Sequence, residues 1–493
     1  MKKHIIGGVL FGLTLVGCSQ DYLDTKPSEF VTPEQVSEVA AYDPSVFDGF
    51  LNGIYATMYK DGVGGTEDHD DFGQKGIDIY SDMLSGDMAL SRSTYGWYRN
   101  LTQLTATEDF TRAENSKPWR FYYRMIFGAN SVIDAQGGND VVPSTAGAKQ
   151  IMGQAKALRA FAYFNLQQLY ANEYIPNQKS IVLKLTKKVE SKPRNTCKEV
   201  MDQVIKDYQD AISLLDGFQR PHKGVLDQNV VKGLAAYAYG YIGDATSLAK
   251  GRDLALDVIN NSGGVILSTT DVLGGFNDLN STSWLWGVDL KADMGFDLIS
   301  WWGQMDVFTY SYQWAGDRKA MDRNLFNKIP ANDLRRKQFN TSVAPTATRY
   351  LLPYYKFYHP NRVEGGQRTV ETDIVFMRIE EMYLLYAEYS AKTGMESEAI
   401  DKLKTLLSKR YLVSSDYSFV DTLTGAALLN EIYLQTRIEL WGEGKSYYAM
   451  KRNKATINRG ANHLSFQGVD IPYNDPRLTL EIPQAEFLAN PFL

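Results

Sequence analysis

One stretch, residues 151–170 (IMGQAKALRAFAYFNLQQLY), limits the possible folds of this chain more than any other. Spacings of three, four or seven separate Ile151, Ala155, Leu158, Ala162 and Leu169, which places them on one face of an α-helix. Alanines within the stretch let a neighbouring helix approach closely, and aromatic residues lie on either side of that seam. A helix that is apolar on several sides must be surrounded by other elements. We therefore expect an array of packed helices with this one inside it.

Similar periodicity, helix caps and stop signals predict further helices along the chain. A helix start is predicted at Thr32-Pro33, and Thr196 to Glu199 form a capping box. Beyond these, helices are predicted over residues 44–60, 119–134, 197–215, 230–242, 248–259, 373–394, 396–410 and 426–451.

Other segments lack a helical period. Residues 61–87, rich in Gly, Asp and Ser, are expected to form a loop. Residues 181–185 alternate and predict either a short strand or an extended arm, residues 284–286 predict a strand with packed tryptophans, and residues 477–493 an extended tail. Helix pairs with short turns resemble tetratricopeptide repeats but keep no steady period of about 34 residues. We therefore expect a mainly α fold, a tetratricopeptide-like helix-pair scaffold with long loop insertions and a few short β-strands.

The sequence of the amino terminus predicts an export signal. A basic start precedes an apolar run, residues 5–16, that is too short to cross a bilayer as a helix. The run ends in LVGC, residues 15–18, which resembles a bacterial lipobox and predicts cleavage before Cys18 and lipidation of that residue. An ordinary signal peptide with a chance cysteine is the alternative. Cys197 is the other cysteine of the chain, so after lipidation no intrachain disulfide is possible.

These observations give an expected organisation in three parts. The predicted parts are a lipoprotein signal peptide at residues 1–17, a tether at 18–31 and one folded unit at 32–493. Within that unit we expect an N-terminal helical scaffold at 32–260, a loop- and aromatic-rich ligand region at 261–372, and C-terminal helices with a tail at 373–493.

Composition and motif searches give little support to catalysis. A net charge of -6 argues against a nucleic-acid partner. Nucleophile-elbow, phosphate-loop and dinucleotide fingerprints are missing from the sequence. The histidines that would follow the cleaved signal are far apart (His69, His222, His359 and His463), so we predict no metal site and no cofactor.

Neighbouring carboxylates are expected to be structural. Glu380 and Glu381 are adjacent on a predicted helix and point about 100° apart, so they cannot flank one glycosidic bond. Glu439 and Glu443, near Arg437 and Lys445, predict an ion-pair network. The acidic residues around His69 predict a solvated loop rather than a cation site. Because two catalytic carboxylates need not be close in sequence, a surface glycoside hydrolase stays as an alternative.

Aromatic residues on non-helical segments indicate binding instead. Sugar rings stack on indole and phenol faces, while their hydroxyls bond to polar side chains. Five of the eight tryptophans lie between residues 272 and 339. Aromatic residues are interspersed there with small polar residues, and they show no periodicity that would bury all of the rings. Trp97 and Asn100 form a similar combination of an aromatic and a polar residue. We predict exposed, ligand-binding side chains at Trp97, Asn100, Trp301, Trp302, Tyr310, Tyr312 and Trp314. The alternative is that some of these rings anchor long loops on the helices.

Taken together, the segments resemble the SusD/RagB family of surface lipoproteins from Bacteroidetes nutrient-uptake systems. The resemblance is carried, in this order, by the residues 15–24, 119–130, 155–170, 196–200, 378–388, 437–451 and 482–491. It departs from the family at Gly442, where phenylalanine is common, and the chain is rather short.

The resemblance implies a function as well as a fold. It implies a lipid anchor in the outer membrane, a SusC-like TonB-dependent transporter as partner, and capture of an oligosaccharide without catalysis. In the starch-binding founder a Trp and an Asn three residues later help form the site, which matches Trp97 and Asn100 here. A peptide-binding lid of the RagB kind is the alternative within the family.

Overall fold

The structure is a computed structural model that describes residues 46–493. The predicted lipidation site at Cys18 and helix start at Thr32 lie outside the described residues. The helices are α1 Val46–Thr57, α2 Gln74–Leu84, α3 Arg99–Thr102, α4 Ala113–Ala135, α5 Ala146–Tyr170, α6 Cys197–Leu214, α7 Gln228–Ile242, α8 Ala245–Asn261, α9 Trp301–Met305, α10 Tyr312–Ala315, α11 Arg323–Phe326, α12 Ile379–Lys392, α13 Glu396–Leu407, α14 Gly425–Glu439, α15 Ser446–Arg452 and α16 Gln484–Ala489.

Short strands form three separate antiparallel pairs. They are β1 Met88–Arg92 with β3 Arg318–Met321, β2 Trp284–Val288 with β4 Ile374–Arg378, and β5 Ile457–Asn458 with β6 Asp470–Ile471. The predicted strand at residues 284–286 and the mainly α fold class are confirmed. Among the described residues, none of the helices is both long and apolar enough to cross a membrane.

Helix α5 lies inside the helical array. All of its residues from Ile151 to Tyr170 are buried, as its sequence predicts. Helices α4 and α6 pack on it from two sides. Polar residues on this helix have buried partners: the Arg159 guanidinium donates to both carboxylate oxygens of Asp207 on α6, at 2.7 and 2.8 Å. The ion pair therefore fixes α5 against α6 from within the core.

Successive helices continue as packed pairs. Helix α6 packs on α7, α7 on α8, and α8 on α12, which also contacts α13 and α14. At the start of α6, the Thr196 hydroxyl accepts the Glu199 N–H while the Glu199 carboxylate accepts the Thr196 N–H, which confirms the capping box. Cys197, in the first turn of α6, is fully buried and acts as a packing residue.

The predicted loop at residues 61–87 is wrong over its second half, where α2 forms and is buried throughout. Polar residues are buried on this helix together with apolar ones, so the sequence shows no clear helical period. Gln74 donates to Asp78 at 2.9 Å and accepts from Tyr122 at 2.9 Å. Lys75 pairs with Asp78 at 2.8 Å. The sequence shows a polar segment, whereas the fold supplies Gln74, Lys75 and Asp78 with buried partners.

Three other boundaries differ from the predictions. Residues 374–378 form β4 rather than the start of a helix, because they pair with β2. The predicted helix at 426–451 is divided into α14 and α15 by Gly442 and Gly444, with φ of +80° and +75°. A side chain at Gly442 would collide with the Phe357 ring. The tail predicted as extended contains α16, while residues 181–185 form the extended arm.

The predicted ion-pair network around Glu439 and Glu443 exists, but with other partners. Arg378 at the end of β4 donates to Glu439 and Glu443, each at 2.8 Å. Arg410 donates to Glu439 at 2.7 Å, and Lys356 pairs with Glu443 at 2.9 Å. Burial would raise the pKa of Glu443, but Arg378 and Lys356 outweigh it and hold that pKa at about 2. These carboxylates are therefore fixed structural anions.

Candidate ligand-binding site

Trp301 and Trp302 lie in the core, with 2% and 0% of their surface exposed. Their segment forms α9, whose first turn is capped by the Ser300 hydroxyl accepting the Gly303 N–H at 3.1 Å. The two indoles meet edge to face at 4.9 Å, and Trp301 meets Phe357 at 4.7 Å. The expectation that these two rings are exposed is wrong, because a helical turn directs both inward.

Helix α9 instead supports the segment that carries His69. The Gln304 amide donates to the backbone oxygen of His69 at 2.8 Å. Gln304 in turn accepts from the buried Lys319 ammonium at 2.5 Å. Lys319 also lies over the Tyr98 ring, 5.2 Å from its centre. Burial lowers the pKa of Lys319 to about 7, although Asp317 and Asp70 act against that shift. Gln304 and Lys319 thus connect the buried helix α9 to a group of surface rings.

That group, here called the aromatic patch, consists of His69, Tyr95, Trp97 and Tyr312. His69 stacks parallel on Trp97 at 5.2 Å, and Tyr312 meets Trp97 at 5.9 Å and Tyr95 at 5.2 Å. The Tyr312 oxygen bonds to His69 Nδ1 at 2.5 Å. Tyr95 is 59% exposed and Trp97 is half-buried. Tyr312 is only 7% exposed, so the expectation that this ring is exposed is also wrong. The patch is an assembled surface of rings from three distant parts of the chain.

Asp317 holds the loop of the patch in place. Its buried carboxylate accepts the N–H groups of Thr94, Tyr95 and Trp97 at 2.5, 2.8 and 3.0 Å. The loop turns through Gly96 with φ of +100°, and Tyr98 then adopts a left-handed conformation with φ of +63°. Three amides converging on one carboxylate fix the positions of Tyr95 and Trp97 before any ligand arrives.

The other predicted site residues lie around the patch. Asn100 follows on α3, and its amide donates to Glu114 at 3.0 Å. Tyr310 and Trp314 are half-buried and tilted together at 5.9 Å. The Arg368 guanidinium covers the Tyr310 ring at 3.8 Å. The structure thus places Trp97 beside Tyr312 and Tyr310 beside Trp314, while Trp301 and Trp302 are beneath the surface. Ligand binding by Trp97, Asn100, Tyr310, Tyr312 and Trp314 stays a prediction.

Sequence reasoning missed His69, Tyr95 and Asp317. The prediction that the acidic loop around His69 is solvated is wrong for Asp70 and Asp71. Asp70 pairs with Lys117 at 2.5 Å, and Asp71 accepts the Gly64 N–H at 2.7 Å. The sequence shows that acids flank His69, but it does not show that Asp70 and Asp71 are buried, so it contains no signal for this part of the patch. Over residues 46–493 no group of three or more His, Cys, Asp or Glu side chains is arranged to hold a metal ion.

Comparisons with known proteins agree with this architecture. Residues 21–239 match a family model described as "Starch-binding associating with outer membrane", and residues 296–487 match the model of the SusD family. A SusD-like protein, P25, from Formosa agariphila is 24% identical over 175 residues, which span 34% of this chain and 30% of that protein.

Solved structures share the fold over nearly the whole chain. A SusD-like carbohydrate binding protein from Bacteroides vulgatus superposes with a TM-score of 0.75 at 22% identity, covering 94% of this chain and 98% of that one. NanU from B. fragilis superposes with a TM-score of 0.64 at 15% identity, covering 93% and 97%.

The structure is a helical scaffold on which the four rings of the aromatic patch are held together at the surface. The chain belongs to the SusD/RagB family.

Proposed function

We propose that this protein is a cell-surface lipoprotein that captures an oligosaccharide and delivers it to a SusC-like TonB-dependent transporter in the outer membrane. The observation that carries the proposal is the aromatic patch, in which exposed Tyr95 and half-buried Trp97 are preorganised by Asp317. A sugar ring presents C–H groups that pack on such rings, and its hydroxyls bond to polar neighbours. The family description of starch binding and outer-membrane association supports the same assignment.

Binding without catalysis is part of the proposal. The acidic pairs that could suggest hydrolysis, Glu439 with Glu443 and Glu380 with Glu381, lie buried and bonded to arginines, lysines or tyrosines. A general acid or nucleophile must reach the glycosidic bond. These carboxylates are therefore assigned to structure, and the aromatic patch to ligand capture.

A glycan panel tests the binding step. The soluble form starting after Cys18 should be retarded in affinity electrophoresis by at least one polysaccharide. Trp97→Ala should abolish the retardation, because it removes the central ring of the patch, while Phe127→Ala removes an exposed ring on α4 and should have no effect. Failure to bind any glycan, together with calorimetric binding of peptides, would replace the proposal by a peptide-capture role.

The anchor and the transporter need separate tests. Cys18→Ser should move the protein from the membrane fraction to the soluble fraction, because it removes the predicted acylation site. Affinity purification of the wild-type protein from outer membranes should recover a TonB-dependent transporter. Release of wild-type protein without detergent, or recovery without a transporter, would contradict these two parts while leaving glycan binding standing.

A further inference from the structure

Two arginines face each other beside the aromatic patch without a carboxylate between them. Arg92 at the end of β1 is paired with Arg318 at the start of β3 in the antiparallel ladder. Like charges directly opposite each other in such a pair are destabilising. Among the described residues, no carboxylate forms an ion pair with Arg92 or with Arg318, where ion pairs are counted to 4.0 Å. The pair is therefore a concentration of positive charge without a carboxylate bonded directly to it.

The acids near the arginine pair are bonded to other groups. Arg318 donates to the Thr348 hydroxyl, but its Nε is buried and has no hydrogen-bond partner among the described residues. Burial, followed by the neighbouring Arg349 and Arg92, lowers the pKa of Arg318. Glu364 is the nearby acid, and both of its oxygens bond to Arg349 at 2.8 and 2.9 Å. Asp317 precedes Arg318 in the chain, and its carboxylate oxygens accept the N–H groups of the loop that carries Tyr95 and Trp97.

The arginine pair is continuous with the aromatic patch. A Cβ placed on Gly316 would lie 3.7 Å from Arg92 Nε, so that guanidinium passes over the turn between α10 and β3. The Gly316 carbonyl accepts from the Thr94 hydroxyl at 3.2 Å, next to Tyr95. A ring stacked on Tyr95 and Trp97 would therefore carry its substituents toward Arg92.

We infer that the captured glycan is anionic, and that a carboxylate or sulfate group on it binds at Arg92 and Arg318 while a sugar ring stacks on the aromatic patch. This inference rests on the proposed function and specifies its ligand class. Planar guanidinium groups form paired hydrogen bonds to such oxyanions. An anion at this position would relieve the repulsion between the two arginines, which gives the acidic ligand an advantage over a neutral one of the same shape.

Calorimetry with matched ligand pairs tests the inference on the soluble form starting after Cys18. One pair is an oligogalacturonate and its carboxyl-reduced counterpart, and the other is a sulfated galactan oligosaccharide and its desulfated counterpart. We expect at least one acidic member to bind about 10-fold or more tightly than its neutral partner. The preference should shrink between about 0.05 M and about 0.5 M NaCl, because salt screens exposed charges. A preference in the first pair indicates recognition of a carboxylate, and a preference in the second pair indicates recognition of a sulfate.

Substitutions then assign the preference to the two arginines. Arg92→Gln and the double variant with Arg318→Gln should bring the acidic and neutral partners to within about 2-fold of each other. Arg124→Gln, the same change at an exposed arginine of α4, should leave the preference intact. Because Arg92 is exposed, its single variant keeps the test informative even if the double variant misfolds.

Equal binding of acidic and neutral partners, or a preference that survives Arg92→Gln, would overturn the inference. If Trp97→Ala still abolished binding in that case, the proposed function would stand with a neutral ligand. Absence of binding to every carbohydrate would instead overturn the proposed function and this inference with it.

Discussion

Trp301 and Trp302 are buried in the core, whereas Tyr95 is exposed and Trp97 is half-buried. Both segments join large rings to small polar residues. In α9 the Ser300 cap starts a helical turn in which Trp301 packs against Phe357 and against Trp302. In the loop at residues 94–98, Asp317 fixes the amides so that Tyr95 stays exposed. The same type of side chain stabilises the protein in one segment and is available to a ligand in the other, because backbone partners decide which way it points.

The largest expected effect is a loss of stability when one of the buried tryptophans is removed. Trp302→Ala should lower the free energy of unfolding by about 3–5 kcal/mol, since it leaves a cavity at a fully buried site. Denaturant titration measures the change, and Trp302→Phe should recover part of the loss. A small stability change with selective loss of ligand would show that this ring is accessible after all.

Acid should weaken the core that contains Trp301 and Phe357. Burial by itself would raise the pKa values of Glu388 and Glu443 above the ordinary 4.5. The neighbouring cations, Arg452 and Lys392 at Glu388 and Arg378 and Lys356 at Glu443, outweigh this effect. They hold both pKa values at about 2. The unfolded chain therefore binds protons more tightly at these sites than the folded protein does. Their stabilisation is complete above about pH 4.5 and is lost toward pH 2, on the order of a few kcal/mol in all.

Denaturant titrations between about pH 6 and about pH 2.5 measure this loss as a falling free energy of unfolding. Glu443→Gln should flatten the pH dependence, because the variant has no carboxylate there to protonate. An unchanged slope in the variant would mean that Glu443 is not held ionised by its partners.

Asp317→Ala should lower both the stability of the protein and its affinity for the glycan. It leaves the amides of Thr94, Tyr95 and Trp97 without their acceptor, which costs about 1–3 kcal/mol. Glycan affinity should fall as well, because the rings lose their fixed positions. Asp317→Asn keeps an acceptor and should be milder in both measurements, by denaturation and by calorimetry. Full affinity in Asp317→Ala would show that the loop does not need this support.

The smallest stability effect is expected at Tyr95. Tyr95→Ala should change the free energy of unfolding by less than about 0.5 kcal/mol, because the side chain is 59% exposed. Its glycan affinity should fall about 10-fold, through loss of one stacking surface. Tyr355→Ala, at another exposed tyrosine, is the matched control. Equal affinities of the two variants would remove Tyr95 from the site.

Predictions from sequence succeeded where the signal is local. The periodicity of α5, the capping box at Thr196 and the strand at Trp284 each depend on a few consecutive residues, and each is present. Predictions failed where a distant partner decides. Helix α2 is hidden by polar residues that find partners on other helices, and β4 is a strand because β2 lies beside it. The predicted site residues differ in the same way: Trp97 is partly exposed, as its surroundings in sequence suggest, whereas the burial of Trp302 is not visible in the sequence.

The sequence alone determined that this chain is a packed helical scaffold, because helical periodicity and turn residues act over a few positions. Only the tertiary structure decided which rings face solvent. It also decided that His69, Trp97 and Tyr312 come together, and that Arg92 faces Arg318. The physical reason is that burial and charge compensation depend on neighbours far away in sequence, which a local pattern does not contain.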